Sequence, residues 1–116
     1  YDAPTLVKFS QDPNWTDYGR GVFRAKCASC HGAEGQGING TNLTDNKYIH
    51  VAQITDIPDV IINGRANGTM PAHASLSKND IVMLSAFVAS LRDTNAPGGK
   101  APEANAKEIA PWVAAP

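Results

Sequence analysis

Residues 27–31 read Cys-Ala-Ser-Cys-His, and this stretch decides how the rest of the chain is interpreted. Two cysteines three positions apart, followed at once by histidine, form the attachment pattern for c-type haem. One short turn can bring both thiols to the vinyl groups on one edge of a porphyrin, while the histidine side chain reaches the iron. The pattern therefore predicts one covalent haem c held by Cys27 and Cys30, with its iron ligated by His31.

Two other kinds of site also use a Cys-x-x-Cys pair. A structural zinc site needs four ligands, and the whole chain has 2 cysteines and 3 histidines to supply them. A thioredoxin-like redox pair lies within a βαβ unit, and no such pattern surrounds Cys27. Haem attachment is the interpretation that explains all three residues of the motif.

Composition excludes several other classes of protein. A chain of 116 residues with 42% hydrophobic content is enough for one compact domain and too short for two. The 11 acidic residues nearly cancel the 10 basic ones, so we expect no docking on nucleic acid. No stretch approaches the roughly 18 apolar residues of a membrane span. We interpret Tyr1 as the start of a processed or trimmed soluble chain.

Helical periodicity leads into the motif, and glycine follows it. Thr16 or Asp17 is predicted to cap a first helix that runs toward Cys27. Residues 32–40 contain four glycines, a density that rules out a long helix and permits close backbone approach. We expect this segment to be a loop that wraps the cofactor.

Two further helices are predicted in the second half of the chain. Asp56 is expected to cap a short helix that has Pro58 in its first turn and Gly64 at its end. Ser77-Lys78-Asn79-Asp80 resembles a capping box ahead of an apolar stripe that continues to Leu91. No segment has a strand-rich pattern. The sequence predicts a small all-α domain, with several helices and glycine-rich loops around one haem.

The chain divides into three predicted parts. Residues 1–15 form an irregular lead-in, residues 16–93 form the haem domain, and residues 94–116 form a tail rich in Pro, Ala and Gly. The tail is either a linker or a strap lying on the surface. Trp112 favours a strap, because a free linker has no use for an indole.

Four side chains could supply the second axial ligand of the iron: Met70, Met83, His50 and His73. Met83 lies inside a predicted helix, where methionine more often fills the core. His50 is more often a surface histidine than a ligand. Met70 lies in the loop at residues 67–71, from which a side chain can reach across a porphyrin. Loop chemistry favours Met70 and leaves His73 as its competitor.

Taken together, the motifs resemble those of a bacterial class I cytochrome c, most closely the c-type domains attached to terminal oxidases. The resemblance covers about residues 16–92. The stretches that carry it are Cys27-Ala28-Ser29-Cys30-His31-Gly32, Gly35-Gln36-Gly37, Asn42-Leu43-Thr44, Ile62-Asn63-Gly64-Arg65, Gly68-Thr69-Met70-Pro71 and Leu84-Ser85-Ala86-Phe87-Val88.

The resemblance has implications for packing and for the site. It implies that the first and last helices cross, so that Gly19 and Phe23 meet the helix that bears Phe87. It also implies that Met70 is the distal ligand and that Arg65 or a nearby group neutralises a haem propionate.

One position departs from the family pattern. Where the family usually has a proline whose carbonyl accepts the proximal imidazole N–H, this chain has Thr41. That bond fixes the ring and strengthens the ligand, so a carbonyl must still receive it. The Thr41 carbonyl can do so without the proline ring, whereas its hydroxyl could instead bond locally.

Function follows from the ligand set. With both axial positions filled by protein groups, the iron has no free site for substrate, which leaves outer-sphere electron transfer. We expect a one-electron carrier rather than an enzyme, working between an upstream redox donor and an acceptor that, as the resemblance implies, is a terminal oxidase. It would act as a monomer or as a domain of a larger complex. A five-coordinate gas sensor or weak peroxidase is the alternative if Met70 does not bind.

Location and docking complete the expectations. Covalent haem attachment takes place on the outer side of the bacterial inner membrane, so the resemblance implies the periplasm. Arg20, Arg24 and Lys26 precede the motif, but Asp17 and Glu34 lie close to them in sequence. We therefore predict a mainly apolar docking ring with weak electrostatic steering. The residues of this ring are Ala28, Met70, Pro71 and Ala72.

Overall fold

The computed structural model of the chain describes residues 2–65 and 70–113. Within these ranges its elements are α1 (Ala3–Ser10), α2 (Pro13–Lys26), α3 (Ala28–His31), β1 (Lys47–Tyr48), α4 (Asp56–Asn63), α5 (Lys78–Leu91) and β2 (Lys107–Glu108). The two short strands pair antiparallel. The predicted small helical fold is confirmed, with this one strand pair added. None of the described helices has the length and apolar character needed to cross a membrane.

Helices α2 and α5 cross at the centre of the domain. Gly19 permits the close approach, because a Cβ there would overlap the backbone carbonyl of Met83 and lie 2.7 Å from Cβ of Phe87. Next to this point the rings of Phe23 and Phe87 meet edge to face, with centroids 5.2 Å apart. The predicted contact of Gly19 and Phe23 with the helix of Phe87 is confirmed.

The crossing lies within one hydrophobic core. Each fully buried Leu, Ile or Phe side chain contributes about 1.5–3 kcal/mol to the stability of the fold. The core therefore holds α1, α2 and α4 firmly against α5. Its buried members are Leu6, Phe23, Ile54, Ile57, Ile61, Ile81, Leu84, Phe87 and Ala89.

The prediction of an irregular segment at residues 1–15 was wrong. Residues 3–10 form α1, which is capped by the Asp2 carboxylate accepting from the Thr5 amide at 2.8 Å. The helix places Leu6 in the core with no exposed surface. The apolar pattern of α1 is too short to stand out against the neighbouring prolines.

The predicted start of α2 was also late. The helix begins at Pro13 rather than at Thr16 or Asp17, and Asp12 occupies its cap position. Pro4 of α1 and Pro13 of α2 both lie in a first helical turn. A proline loses no intrahelical hydrogen bond there, since the amides of the first turn have no helical partner.

Helix α4 begins at Asp56, but its cap differs from the prediction. Thr55 occupies the cap position without a side-chain hydrogen bond. The Asp56 carboxylate instead accepts from the backbone amides of Ala52 and Gln53, at 2.9 and 3.0 Å. Gly64 ends the helix as predicted, with a φ of 70° that favours glycine.

Helix α5 keeps one half of the predicted capping box. The Ser77 hydroxyl accepts from the Asp80 amide at 3.1 Å. The Asp80 carboxylate does not return to the cap; it accepts from the Tyr18 hydroxyl of α2 at 2.6 Å. The hydrogen bond links α2 to the first turn of α5.

Residues 94–113, called here the C-terminal strap, lie along the domain. Ile109 is 9% exposed, and its amide donates to the Asn46 carbonyl at 2.9 Å. The Trp112 indole N–H donates to the Ala89 carbonyl of α5 at 2.8 Å, and its ring stacks on that of Tyr48. These contacts favour a strap over a free linker for the described part of the tail.

Candidate functional site

One cavity gathers the side chains that the sequence singled out. It has a volume of about 450 Å³, and it is lined by α2, α3, α4, α5, the segments between them and part of the C-terminal strap. All six predicted site residues face it: Cys27, Cys30, His31, Thr41, Arg65 and Met70. Most of the remaining wall is apolar and includes Phe23, Leu43, Ile57, Val60, Ile61, Leu84 and Val88.

The two thiols are positioned at the junction between α2 and α3. Helix α2 ends at Cys27, and α3 follows as a single turn. The amides of Cys30 and His31 both bond to the Cys27 carbonyl, at 3.2 and 3.0 Å. Burial, and to a smaller extent electrostatic repulsion from Cys30, raises the pKa of the Cys27 thiol to about 11. The thiol is therefore protonated at neutral pH.

The His31 imidazole is held in one orientation. Its Nδ1 lies 2.8 Å from the Thr41 carbonyl oxygen. A carbonyl can only accept, so Nδ1 carries the proton and Nε2 keeps the lone pair that binds iron. The ring also packs on Gly40, where a Cβ would lie 2.8 Å from Cε1. Burial lowers the pKa of His31, the bond to Thr41 opposes this, and the Lys100 charge adds to the lowering.

Met70 is fixed through its backbone. It forms an isolated antiparallel bridge with Arg65, with hydrogen bonds of 3.1 and 3.2 Å. Gly64 makes the bridge possible, because it has a positive φ and a Cβ there would overlap the Met70 carbonyl. Loop residues 67–69, which were predicted to give Met70 its reach, lie outside the described residues.

The other candidate ligands divide into two groups. His50 and His73 also line the cavity, so both remain alternatives to Met70. Met83 lies in α5, where its carbonyl meets Gly19 at the helix crossing, and the described cavity wall does not include it. The geometry therefore leaves Met70, His50 and His73 as candidates for the second axial ligand.

Arg65 lies on the cavity wall with its charge already engaged. Its guanidinium pairs with Asp59 and donates to the Gly64 carbonyl at 2.7 Å. The pairing, together with a bond from Asn63, holds the pKa of Asp59 below its usual value. The side chain of Arg65 is 28% exposed, so its charge remains close to both the cavity and the solvent.

Sequence reasoning also missed polar residues of the wall, among them Tyr48, Lys100 and Glu103. Tyr48 is buried and donates its hydroxyl proton to the Leu43 carbonyl at 2.8 Å. Lys100 and Glu103 belong to the C-terminal strap and line the same cavity. No local motif marks Tyr48, and Lys100 and Glu103 belong to the strap, which lies outside the stretch that carries the family resemblance.

The residues present fit a covalent haem c. A porphyrin needs an apolar slot, two thiols on one side and a nitrogen ligand with a free lone pair. The cavity provides the apolar wall, both cysteines and an imidazole whose other nitrogen is bonded to a carbonyl. A thioether and two further imidazoles line the same space.

Comparison with known proteins agrees with this geometry. Residues 15–88 match the family model described as cytochrome C oxidase, cbb3-type, subunit III. A solved cytochrome cL from the marine methylotroph Methylophaga aminisulfidivorans superposes with a TM-score of 0.65 at 26% identity. That match covers 71% of this chain and 56% of the other.

Curated relatives point the same way. The chain is 32% identical over 99 residues to the cbb3-type cytochrome c oxidase subunit CcoP of Rubrivivax gelatinosus, covering 77% of this chain and 33% of the relative. It is 38% identical over 77 residues to subunit FixP of Azorhizobium caulinodans, covering 63% and 26%. It is 32% identical over 91 residues to the cytochrome bc1 complex cytochrome c subunit of Corynebacterium efficiens, covering 76% and 30%.

The chain thus spans at most a third of the length of these relatives. It belongs to the cbb3-type cytochrome c oxidase subunit III family of c-type cytochromes, whose domains bind covalent haem c with its iron.

Proposed function

We propose that this chain transfers single electrons through a haem c attached to Cys27 and Cys30, with His31 and Met70 as axial ligands. One observation carries the proposal: all four side chains line a single, largely apolar cavity. The bound haem supplies a one-electron couple between ferric and ferrous iron. With both axial positions taken, the residues leave no site for a substrate.

The surrounding residues support this role in different ways. The Thr41 carbonyl holds the His31 ring and makes it a better electron donor to a metal. Apolar side chains from α4 and α5 exclude water from the cavity. Little solvent then has to reorient when the iron changes its oxidation state. Arg65 is the candidate counter-charge for a propionate. The proposed haem domain comprises residues 16–93, with the strap as an added part.

The relatives support a partner of the respiratory chain. Two of them are subunits of cbb3-type oxidases, which favours transfer toward a terminal oxidase. The third is a subunit of a cytochrome bc1 complex. Since the chain spans at most a third of each, the haem module of a larger oxidoreductase is the second candidate. The chemistry of haem attachment favours the periplasm in either case.

Optical spectra of the holo-protein test the ligand set. We expect the ferric protein to show the thioether-to-iron charge-transfer band, and Met70→Ala to lose it. Matched variants His73→Ala and His50→Ala should keep the band, because these side chains lie on the wall without binding iron. Retention of the band in Met70→Ala would exclude Met70 as the ligand.

Carbon monoxide separates the carrier from a gas sensor or peroxidase. A six-coordinate carrier should bind the gas slowly and incompletely when reduced, whereas Met70→Ala should bind it at once. A fast and complete spectral change of the wild-type protein at neutral pH would contradict the electron-transfer proposal.

A further inference from the structure

We infer that Lys100 and Glu103 of the C-terminal strap form a charge pair on the wall of the haem cavity, and that each charge offsets the shift that the other would cause in the reduction potential of the iron. The inference rests on the proposed electron-transfer function, because a tuned potential matters to a carrier. It assigns a role to a segment that lies outside the family-like part of the chain.

The backbone of the strap is fixed against the loop that follows the Cys-x-x-Cys-His motif. The Lys100 amide donates to the Gln36 carbonyl at 2.8 Å, and the Asn42 side-chain amide donates to the Lys100 carbonyl at 3.2 Å. Asn42 is 8% exposed. Gly99 sits so close that a Cβ there would overlap the Asn42 amide group. The position of Lys100 is therefore set by its backbone.

The two charged groups are held where they face the cavity. The Lys100 ammonium lies 3.0 Å from the Glu103 carboxylate and 3.3 Å from the Asn39 carbonyl. Both residues line the cavity, and Asn39, which the Lys100 ammonium contacts, lies two residues before Thr41, the acceptor of the His31 ring. Each remains 36% exposed, so solvent weakens but does not cancel its field.

Electrostatics gives the two charges opposite effects. Reduction makes the iron site one unit more negative, so a nearby cation favours the ferrous state and a nearby anion favours the ferric state. Because the pair is nearly neutral as a whole, the native strap leaves the potential close to the value set by the axial ligands. Removal of either partner exposes the field of the other.

Redox titration of single charge variants in the full-length holo-protein tests the inference. Lys100→Gln should raise the ferric-to-ferrous ratio at a fixed applied potential by a factor of about two to ten, and Glu103→Gln should lower it by a similar factor. Both substitutions keep the backbone hydrogen bonds. Lys100→Arg keeps the charge and should titrate like the wild type.

The strap supplies its own controls. Lys107 and Glu108 form β2, are exposed, and do not belong to the described cavity wall. Lys107→Gln and Glu108→Gln should therefore leave the ratio within the error of the titration. A merely structural role of Lys100 and Glu103 would lower thermal stability in both variants without moving the potential in opposite directions.

Two results would overturn the inference. One is a shift of the same sign in Lys100→Gln and Glu103→Gln; the other is a shift no larger than that of the β2 controls. If Lys100→Gln does not yield holo-protein, the sign of the Glu103→Gln shift alone decides. Failure of the proposed function would look different, since the wild-type protein itself would then lack a reversible one-electron couple.

Discussion

At the scale of single residues, the His31 ring has two close neighbours that should respond differently to substitution. Gly40 packs directly against the ring, with the position of a Cβ 2.8 Å from Cε1 and 2.9 Å from Nδ1. Thr41 meets the ring through its backbone carbonyl. The first contact depends on the absence of a side chain, whereas the second does not depend on the side chain at all.

We therefore predict that Gly40→Ala destabilises the ferric holo-protein by about 1–3 kcal/mol, because the new methyl group displaces the ring from the Thr41 carbonyl. Thr41→Ala should change stability by less than about 0.5 kcal/mol and leave the spectrum unchanged. Urea unfolding followed by haem absorbance measures both. Equal losses in the two variants would show that the Thr41 hydroxyl also supports the ring.

The motif itself was readable from sequence because its chemistry is local. Cys27, Cys30 and His31 lie within five residues, and one helical turn fixes their spacing. The family places a carbonyl near Thr41, but the sequence left open which carbonyl accepts from the His31 ring, and the structure gives that of Thr41. Lys100 could not be found in this way, since its approach to Asn39 and Asn42 depends on how the strap folds back over the domain.

At the scale of elements, the crossing of α2 and α5 holds one side of the haem cavity in place. The Met83 carbonyl occupies the space that a side chain at position 19 would need, so only glycine fits there. Gly21 lies two residues further along the same helix, is exposed, and has no atom within 4 Å of its Cβ position. The two glycines form a natural matched pair.

Gly19→Ala should destabilise the protein by about 3 kcal/mol, because a backbone carbonyl cannot move aside without separating the helices. Gly21→Ala should stabilise it by about 0.5–1 kcal/mol, the usual gain of alanine over glycine in a helix. Thermal unfolding of the two holo-variants gives the comparison. A tolerated Gly19→Ala would mean that the helices cross at a greater distance than described.

The Tyr18–Asp80 hydrogen bond, next to the point where Gly19 meets α5, predicts a pH dependence. The hydrogen bond to Asp80, and secondarily its charge, raises the pKa of Tyr18. A raised pKa means that the bond stabilises the fold below the unfolded value of about 10 and that this contribution is lost as pH rises through the folded pKa.

Tyr18→Phe should therefore melt about 2 °C below the wild type at neutral pH, and the difference should shrink as the pH is raised above about 10. Matched melting curves at several pH values measure it. A difference that stays constant through the alkaline range would indicate lost packing rather than a lost hydrogen bond.

Prediction of elements from the sequence succeeded where the signal was internal to a segment. Ser77 and the apolar stripe after it identified α5, and Gly64 marked the end of α4. The α1 helix was missed because Pro4 and Pro13 look like breakers when their positions in the first turn are unknown. The strap gained its order from distant partners, such as the Ala89 carbonyl that accepts from Trp112.

At the scale of the whole molecule, the charges next to the motif largely compensate one another. Arg24 and Arg20 both pair with Glu34, at 2.8 and 3.7 Å. These exposed pairs add little stability, but they reduce the positive field in front of the motif. The formal net charge is −1, and the two propionates of a haem make the holo-protein more acidic. A partner therefore meets a surface with little directional charge.

The predicted docking ring fits this surface. Pro71 and Ala72 are exposed, whereas Ala28 and Met70 are half-buried. Because this surface has little directional charge to steer the encounter, we expect a weak response to salt. The rate of electron transfer to a membrane fraction that contains a terminal oxidase should change by less than about tenfold as ionic strength rises and the Debye length falls to about 3 Å.

A charged substitution inside the docking ring tests whether apolar contact controls docking. Ala72→Glu should slow this transfer by about tenfold, because a carboxylate would have to be desolvated when the partner docks. Ala110→Glu adds the same charge at an exposed position of the strap and should leave the rate unchanged. Stopped-flow measurements at constant ionic strength compare the two. Equal slowing by both variants, or a fall of several orders of magnitude with salt in the wild type, would show that net charge rather than apolar contact controls docking.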